Sequence, residues 1–424
     1  MYLVFKCFLS SAGLIHLVLL VSSFSICTCN PVDSPTNYHL VRAGCMLLTN
    51  QDWGEPQSLI LNSNMTKIVY PETEDSVLLY PCEDIVLACP GSKFKLTEDE
   101  VLHAKCERGT QISADHGGSP FDFQTASCEK LPRTTAMATG RCGNDGEMKN
   151  IEIGFVVKEN FISLIDICFD ENLLTANFSL YQASYRIAGR QHGFPRMNFI
   201  AGKFYGDVEI WKLYSRQKQR ETLAKILGSE DLASTYIKDD KSYYLARGHL
   251  TAKADFVYGA EQMATFYYIN VAPQWQIINA GNWAALEDNV RTYIIKNKLE
   301  VLIYTIPHGV AVLPDVDGTY QPLYLYFDEN NNGLIPVPKL YIKAVVDPVS
   351  KTGIAFLTVN NPYVTMEEIQ EQNYVICEDI CDELDWLTWD PTNIKKGYSY
   401  CCNIKDLAKS LDFMPEIDVD DILR

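Results

Sequence analysis

A chain of 424 residues, 47% hydrophobic and 21% charged, is too long for one ordinary core and too apolar for a disordered polymer, so two or three folded domains are expected. Its formal net charge of -18, from 54 acidic against 36 basic side chains, excludes a protein that meets polyanions over its whole surface, because generic phosphate affinity comes from Lys and Arg. Any contact with nucleic acid has to be local.

At the N-terminus, Lys6 precedes the apolar run Leu14-Ile15-His16-Leu17-Val18-Leu19-Leu20-Val21 and then the small residues Ser22, Ser23, Ser25 and Cys27. That order predicts a signal peptide over 1–27, cleaved after Ser25 or Cys27. Its apolar core is shorter than the roughly twenty residues of a comfortable membrane span. No later run reaches that length, so the mature chain is expected to be secreted and extracellular, with no membrane contact. Cysteine usage agrees. Of fourteen cysteines, Cys7 and Cys27 leave with the signal, and the remaining twelve, Cys29 included, make an even set that predicts about six disulfides. The sites Asn64-Met65-Thr66 and Asn177-Phe178-Ser179 are glycosylation acceptors compatible with secretion.

Besides Cys29, residues 28–147 hold Cys45, Cys82, Cys89, Cys106, Cys128 and Cys142, whose pairing spacing alone leaves open. Short apolar pieces, Ser58-Leu59-Ile60-Leu61 and Ser76-Val77-Leu78-Leu79-Tyr80, alternate with turn clusters such as Gly117-Gly118-Ser119-Pro120, which predicts a small disulfide-rich β module. Its lone histidines His39, His103 and His116 are expected at the surface or satisfied in the core. The Gly- and Asn-rich stretch from Gly140 to Asn150 is expected to be a linker.

From 148 the pattern changes. Strands are predicted at Ile151–Val157 and Phe161–Cys168, with Ala176–Ile187 in the same idiom, and a helix at Gln217–Leu227 stopped by Gly228. A strand at Phe266–Val271, a helix at Trp283–Ile295, and strands at Val301–Ile306, Leu323–Phe327, Lys339–Val346 and Gly353–Val359 complete an α+β domain spanning 148–424. Between Arg186 and Lys225 nine basic side chains face three acidic ones, a segment able to meet a polyanion. From Asn361 onward fifteen acidic side chains face five basic ones, marking an acidic extension over about 363–424. In that extension Cys401 and Cys402 are adjacent, a poor zinc geometry, so two disulfides to Cys377 and Cys381 are expected. Asp328-Glu329-Asn330-Asn331-Asn332-Gly333 opens like a calcium loop, but Lys339 stands at its twelfth position and Pro336 and Pro338 forbid the exiting helix, so a plain loop is expected.

The chemistry concentrates in Leu245-Ala246-Arg247-Gly248-His249-Leu250 and in Asn279-Ala280-Gly281-Asn282-Trp283-Ala284-Ala285-Leu286-Glu287-Asp288. Phosphodiester hydrolysis needs a base to make hydroxide, a cation to neutralise the crowded transition state, and help for the leaving oxygen. An imidazole such as His249 can deprotonate water, and Gly248 beside it would let a substrate backbone come close. The amide oxygen of Asn279 suits Mg²⁺, which keeps most of its waters; otherwise Asn279 caps the helix that follows. Glu287 and Arg291 share a helix face, either as a surface ion pair or as a metal-water ligand and a phosphate contact, with Arg247 a further clamp.

Arg247-Gly248-His249, Asn270 with Pro273-Gln274 close behind, and the run Asn279 to Asp288 together resemble the DNA/RNA non-specific endonucleases of the ββα-metal type, in their secreted arthropod branch. The resemblance spans roughly residues 150 to 360 and is strongest from 245 to 291. It implies a central, mainly antiparallel sheet flanked by helices, with His249 as general base, Asn279 as the direct protein ligand of a hydrated Mg²⁺ (Mn²⁺ able to substitute), and Glu287 on a metal-bound water. Arg247, Asn270 and Arg291 match supporting positions, and Arg196, in Pro195-Arg196-Met197-Asn198-Phe199, is a looser match to a phosphate-binding arginine. The implied partners are DNA and RNA, held by their backbones without sequence preference and cut to 5′-phosphate ends. One position departs from the pattern: the Asp that usually precedes Arg-Gly-His is Ala246. The alternative is therefore a secreted nucleic-acid-binding protein on a weakened nuclease scaffold. Oligomeric state is not legible from the sequence.

Overall fold

Alternation of side chains across strands builds the central sheet. The computed structural model describes residues 44–73, 75–114, 119–143, 146–411 and 413–424; the expected signal peptide, Cys29, His39 and His116 lie outside them. The sheet runs in the order Ser399–Cys402, Thr352–Val359, Leu340–Asp347, Glu300–His308, Thr175–Ser184, Asn160–Asp170, Met148–Val157, Thr134–Cys142, all antiparallel, with Asp421–Ile422 added parallel to Thr352–Val359. Every residue of Leu340–Asp347 is buried, because both faces of the sheet are covered. Tyr341, Val345, Ile354 and Phe356 turn to one face, under the helix Asn282–Asn297 with its Trp283, Leu286, Val290 and Ile294. Ile342, Ala344, Ala355 and Leu357 turn to the other, covered by Ile369, Tyr374, Ile404 and Leu407 of the acidic extension. The extension is thus the second layer of the sheet and one of its edge strands rather than a solvated tail. Its two predicted disulfides are present, Cys377–Cys402 and Cys381–Cys401.

The N-terminal cysteines staple a five-stranded antiparallel sheet, in the order Leu59–Asn62, Asp84–Ala88, Val101–Arg108, Gln111–Ala114, Phe121–Asp122, through Cys45–Cys106 and Cys89–Cys128. His103 is exposed on one of its strands. The expected linker at 140–150 is instead the end of a β-hairpin: Thr134–Cys142 pairs with Met148–Val157 through Gly140 and Asn150, and the Cys142–Cys168 disulfide ties it to the neighbouring strand. The small sheet packs against this region, burying Phe155, Val157 and Ile162 together with Val257, Tyr258 and Met263. The position expected as a boundary, between 147 and 148, falls at the start of the hairpin's second strand.

Other local expectations divide. The helix Arg216–Leu227 ends at Gly228 in the left-handed conformation, which a residue without Cβ adopts without strain. Asp328 accepts the backbone N–H groups of Asn330 and Asn332 in the turn joining Tyr324–Phe327 to Gly333–Pro336, a hairpin turn as expected of a plain loop. The acceptor Asn64 is exposed, whereas Asn177 is half-buried within a strand. The predicted strand at 266–271 is displaced. Residues Tyr268–Asn270 form a 3₁₀ turn and the strand is Val271–Trp275, because the 266–268 backbone is spent on Ile200 and the Asn270 amide on other main-chain groups.

Candidate active site

Strands Leu245–His249 and Val271–Trp275 pair antiparallel, His249 opposite Val271 and Ala246 opposite Gln274. This ribbon followed by the helix Asn282–Asn297 is the ββα unit that carries the motif. Two buried amides bracket it where neighbouring strands are missing, and a third holds the loop beyond His249. Gln219 brackets Leu245, accepting its N–H at 2.9 Å and donating to its carbonyl at 2.8 Å. Asn360 accepts the N–H of Trp275 at 3.0 Å and donates to Pro273 and Pro338 carbonyls. Asn270 accepts the N–H of Thr251 at 3.0 Å and donates to the carbonyls of Thr251 and Thr265, both at 3.0 Å. Gly248 has a different use from the one expected. A Cβ there would lie 2.6 Å from the Gln274 side chain and 2.7 Å from the Tyr341 hydroxyl, so its missing side chain makes room for packing beneath the ribbon rather than for substrate.

A cavity of about 720 Å³ opens over the ribbon, lined by Arg196, Arg247, His249, Asn279 and Ala246 together with Trp211 and several further aromatic rings. Segment 196–201 reaches it by running beside 266–268, with Ile200 N–H donating to Phe266 and Tyr268 N–H to Ile200. His249 is wedged between Phe199 and Phe266, ring centroids 5.2 and 5.3 Å away, and its Nε2 is buried with no hydrogen-bond partner. Burial pushes the imidazole down to about 4, and the Arg196 guanidinium adds to that effect while Asp255 opposes it. The ring is therefore neutral at physiological pH, the state a proton acceptor needs. Arg247 donates to the Tyr268 hydroxyl at 3.1 Å and sits among the faces of Tyr214, Phe199 and Tyr268 at 5.2 to 5.4 Å, an aromatic cage that holds its charge at the cavity wall.

Asn279 ends the one-turn helix Gln276–Asn279, and the helix after it is capped by Gly281, so Asn279 is not an N-cap. Its Nδ2 donates to Gln276 Oε1 at 3.2 Å, which leaves the amide oxygen outside that bond. Asn270, Glu287 and Arg291 do not line the cavity. Asn270 is wholly buried as a backbone bracket. Glu287 and Arg291 instead line a small void with Asp255, Lys343 and Tyr181 under the helix. There Arg291 Nη1 pairs with Asp255 Oδ1 at 2.8 Å, the Tyr181 hydroxyl donates to the same carboxylate, and Lys343 donates to Thr305 at 3.0 Å. Burial raises the Glu287 carboxyl above the usual carboxylate range, Lys343 opposing it and Asp255 adding to it. The Glu287–Arg291 surface ion pair is thus replaced by a pairing of Arg291 with buried Asp255 beside Glu287 and Lys343, and Asp255 and Lys343 carry no periodic signal in the sequence.

The basic segment narrows too. Arg186 pairs with Glu300, Lys212 with Glu209, Lys218 with Glu221 and Arg220 with Asp239, whereas Arg196 has no ion pair among the described residues. Of the segment's basic side chains, Arg196 is the one without an ion pair that lines the cavity, where Arg247 joins it.

Residues 145–407 match the family model of the DNA/RNA non-specific endonucleases. The chain belongs to that family. This nuclease is 30% identical over 374 residues to a salivary endonuclease of Lutzomyia longipalpis, covering 84% of this chain and 85% of the relative. It is 29% identical to a salivary endonuclease of Culex quinquefasciatus, covering 86% and 88%, and 27% identical to salivary protein Tsal2A of Glossina morsitans morsitans, covering 87% and 91%. Family membership makes it a hydrolase of the endonuclease class acting on nucleic acid. The cavity of this nuclease also offers a place for the divalent cation such enzymes use: the neutral amide oxygen of Asn279 lines the wall and suits a hard ion that keeps most of its water shell. Among the described residues no helix is long and apolar enough to cross a membrane.

Proposed function

We propose that the protein is a secreted, Mg²⁺-dependent, sugar-non-specific endonuclease that cleaves DNA and RNA to 5′-phosphate products, with Mn²⁺ able to substitute. The observation that carries the reading is the convergence of the His249 imidazole, two arginines and the Asn279 amide on one cavity. The His249 imidazole accepts a proton from water, and the resulting hydroxide attacks phosphorus as the bond to the leaving 3′-oxygen breaks. Arg196 and Arg247 hold the phosphate, Arg247 pre-set by its aromatic cage so that little freedom is lost on binding. Asn279 would hold the Mg²⁺, which when bound supplies charge neutralisation at the phosphate and leaving oxygen. A phosphodiester seated beside Arg196 offsets the positive charge that depresses His249, so the base strengthens when substrate is in place. Asn270 positions the loop after His249, and Glu287 and Arg291 act through the buried cluster with Asp255 rather than by touching phosphate. Contacts to backbone alone account for the lack of sequence preference. Salivary relatives support an extracellular site of action.

Incubating the purified chain with plasmid DNA and with RNA, with Mg²⁺ or EDTA, beside His249→Ala, tests this. Cleavage of both polymers that EDTA abolishes, and a loss of at least about a hundredfold in the variant, is expected. Equal rates for wild type and variant would remove His249 from the chemistry. A second reading, a nucleic-acid-binding protein on a weakened scaffold, draws on Ala246, which meets the cavity without the usual carboxylate. It requires binding that persists in EDTA while no cleavage occurs with metal.

A further inference from the structure

Among the six tryptophans, Trp53, Trp275 and Trp283 are buried, while Trp386 and Trp389 pack against Phe356 with centroids 5.5 and 5.9 Å away. Trp211 alone is exposed, at 51%, and it lines the cavity that holds Arg196, Arg247 and His249. The helical turn Ile210–Leu213 explains its direction: Ile210 and Leu213 turn into the core, which leaves Trp211 on the outer side. The other cavity aromatics are occupied. Phe199, Tyr214 and Tyr268 cage Arg247, Phe266 packs on His249, and Arg216 covers Tyr244 at 4.5 Å. Among the described residues no ring or cation covers the Trp211 indole.

We propose that Trp211 is a stacking subsite for an unpaired nucleobase flanking the phosphate held by Arg196 and Arg247. The inference rests on the nuclease reading of that cavity and deepens it by naming a substrate form: single-stranded nucleic acid. A strand anchored through phosphate at the two arginines carries its bases within reach of the cavity wall, and a free indole face offers them apolar, polarizable surface. Every base has a π-face, so stacking is indifferent to base identity and to the 2′-hydroxyl. In a duplex both faces of a base are covered by its neighbours, so a paired strand cannot use the indole without unstacking.

Fluorescence anisotropy in EDTA, with a labelled oligothymidylate, an abasic strand of the same length and a blunt duplex, tests the subsite without requiring catalysis. Trp211→Ala is expected to weaken oligothymidylate binding about tenfold, Trp211→Phe to restore most of it, and both to leave the abasic strand and the duplex nearly unchanged. With Mg²⁺ the same loss should enter KM and spare kcat. Wild-type affinity of W211A for oligothymidylate would overturn the proposal, as would an equal loss on the abasic strand. Intact binding of oligothymidylate without cleavage in Mg²⁺ would sink the catalytic reading while leaving the subsite standing.

Discussion

At the scale of single residues, His249 shows how a motif letter acquires a working state from its surroundings. An exposed imidazole titrates near 6.5, but the ring between Phe199 and Phe266 is held down to about 4 by burial and by Arg196. The base is neutral above that value, so kcat/KM, which reports the free enzyme, should stay level from pH 8 to below 6 and fall through an acid limb near 4. The limb of kcat should lie higher, because bound phosphate offsets Arg196. An acid limb of kcat/KM centred at 6.5 would contradict the burial argument. Linkage runs in the same direction: the unfolded chain binds this proton more readily than the folded one, so stability from His249 is present above about 6.5 and is lost as pH falls toward about 4.

At the scale of elements, the two-stranded ribbon is isolated from the large sheet, and side-chain amides replace the missing strands. Asn270 satisfies one N–H and two carbonyls in a fully buried place. Asn270→Ala would leave those groups unpaired, and each buried unpaired group costs about 1–3 kcal/mol, so a loss of roughly 3 kcal/mol or more is expected, read as a lowered midpoint in urea with unchanged m. A midpoint within error of wild type would show that water replaces the amide. The active-site helix is braced comparably from the extension. Asn282 donates to Asp390 and Gly397 carbonyls at 2.7 and 2.6 Å, and Asn289 accepts the Thr388 N–H at 2.7 Å.

At the scale of the whole molecule, the N-terminal sheet and the catalytic half meet through polar groups as well as apolar ones. Gln57 donates to Gln191 at 2.8 Å and accepts the Ala260 N–H at 3.1 Å, and Tyr258 donates to the Val69 carbonyl at 2.7 Å. Glu261 lies at the centre of this contact, accepting from Tyr70 and from the Tyr258 N–H, and burial raises its carboxyl to about 7 despite those bonds. The folded state therefore holds a proton that the unfolded chain releases near 4.5, so the stability it contributes is present below that value and is lost as pH rises through about 7. Over that window wild type should lose about 3 kcal/mol relative to Glu261→Gln, measured as the difference between their melting curves at pH 4.5 and 8. Parallel curves would place the shift elsewhere.

Much of this was already written in the linear chain. The helix at 216–227 with its glycine stop, the long strands from 148 to 359 and the pairing of Cys401 and Cys402 with Cys377 and Cys381 follow from periodicity and adjacency, which depend on near neighbours. The spacing of His249 and Asn279 likewise marked two residues that meet at one cavity. Tertiary structure alone decided that Gly248 makes room for Gln274, that Asn270 brackets a loop, that Arg291 belongs to Asp255, that Trp211 stays uncovered, and that the 140–150 stretch is a hairpin end rather than a linker. The physical reason is common to all five. Burial and hydrogen-bond partnership are set by groups far away in sequence, and the same residue type serves as bracket, ligand or surface according to what the fold brings against it.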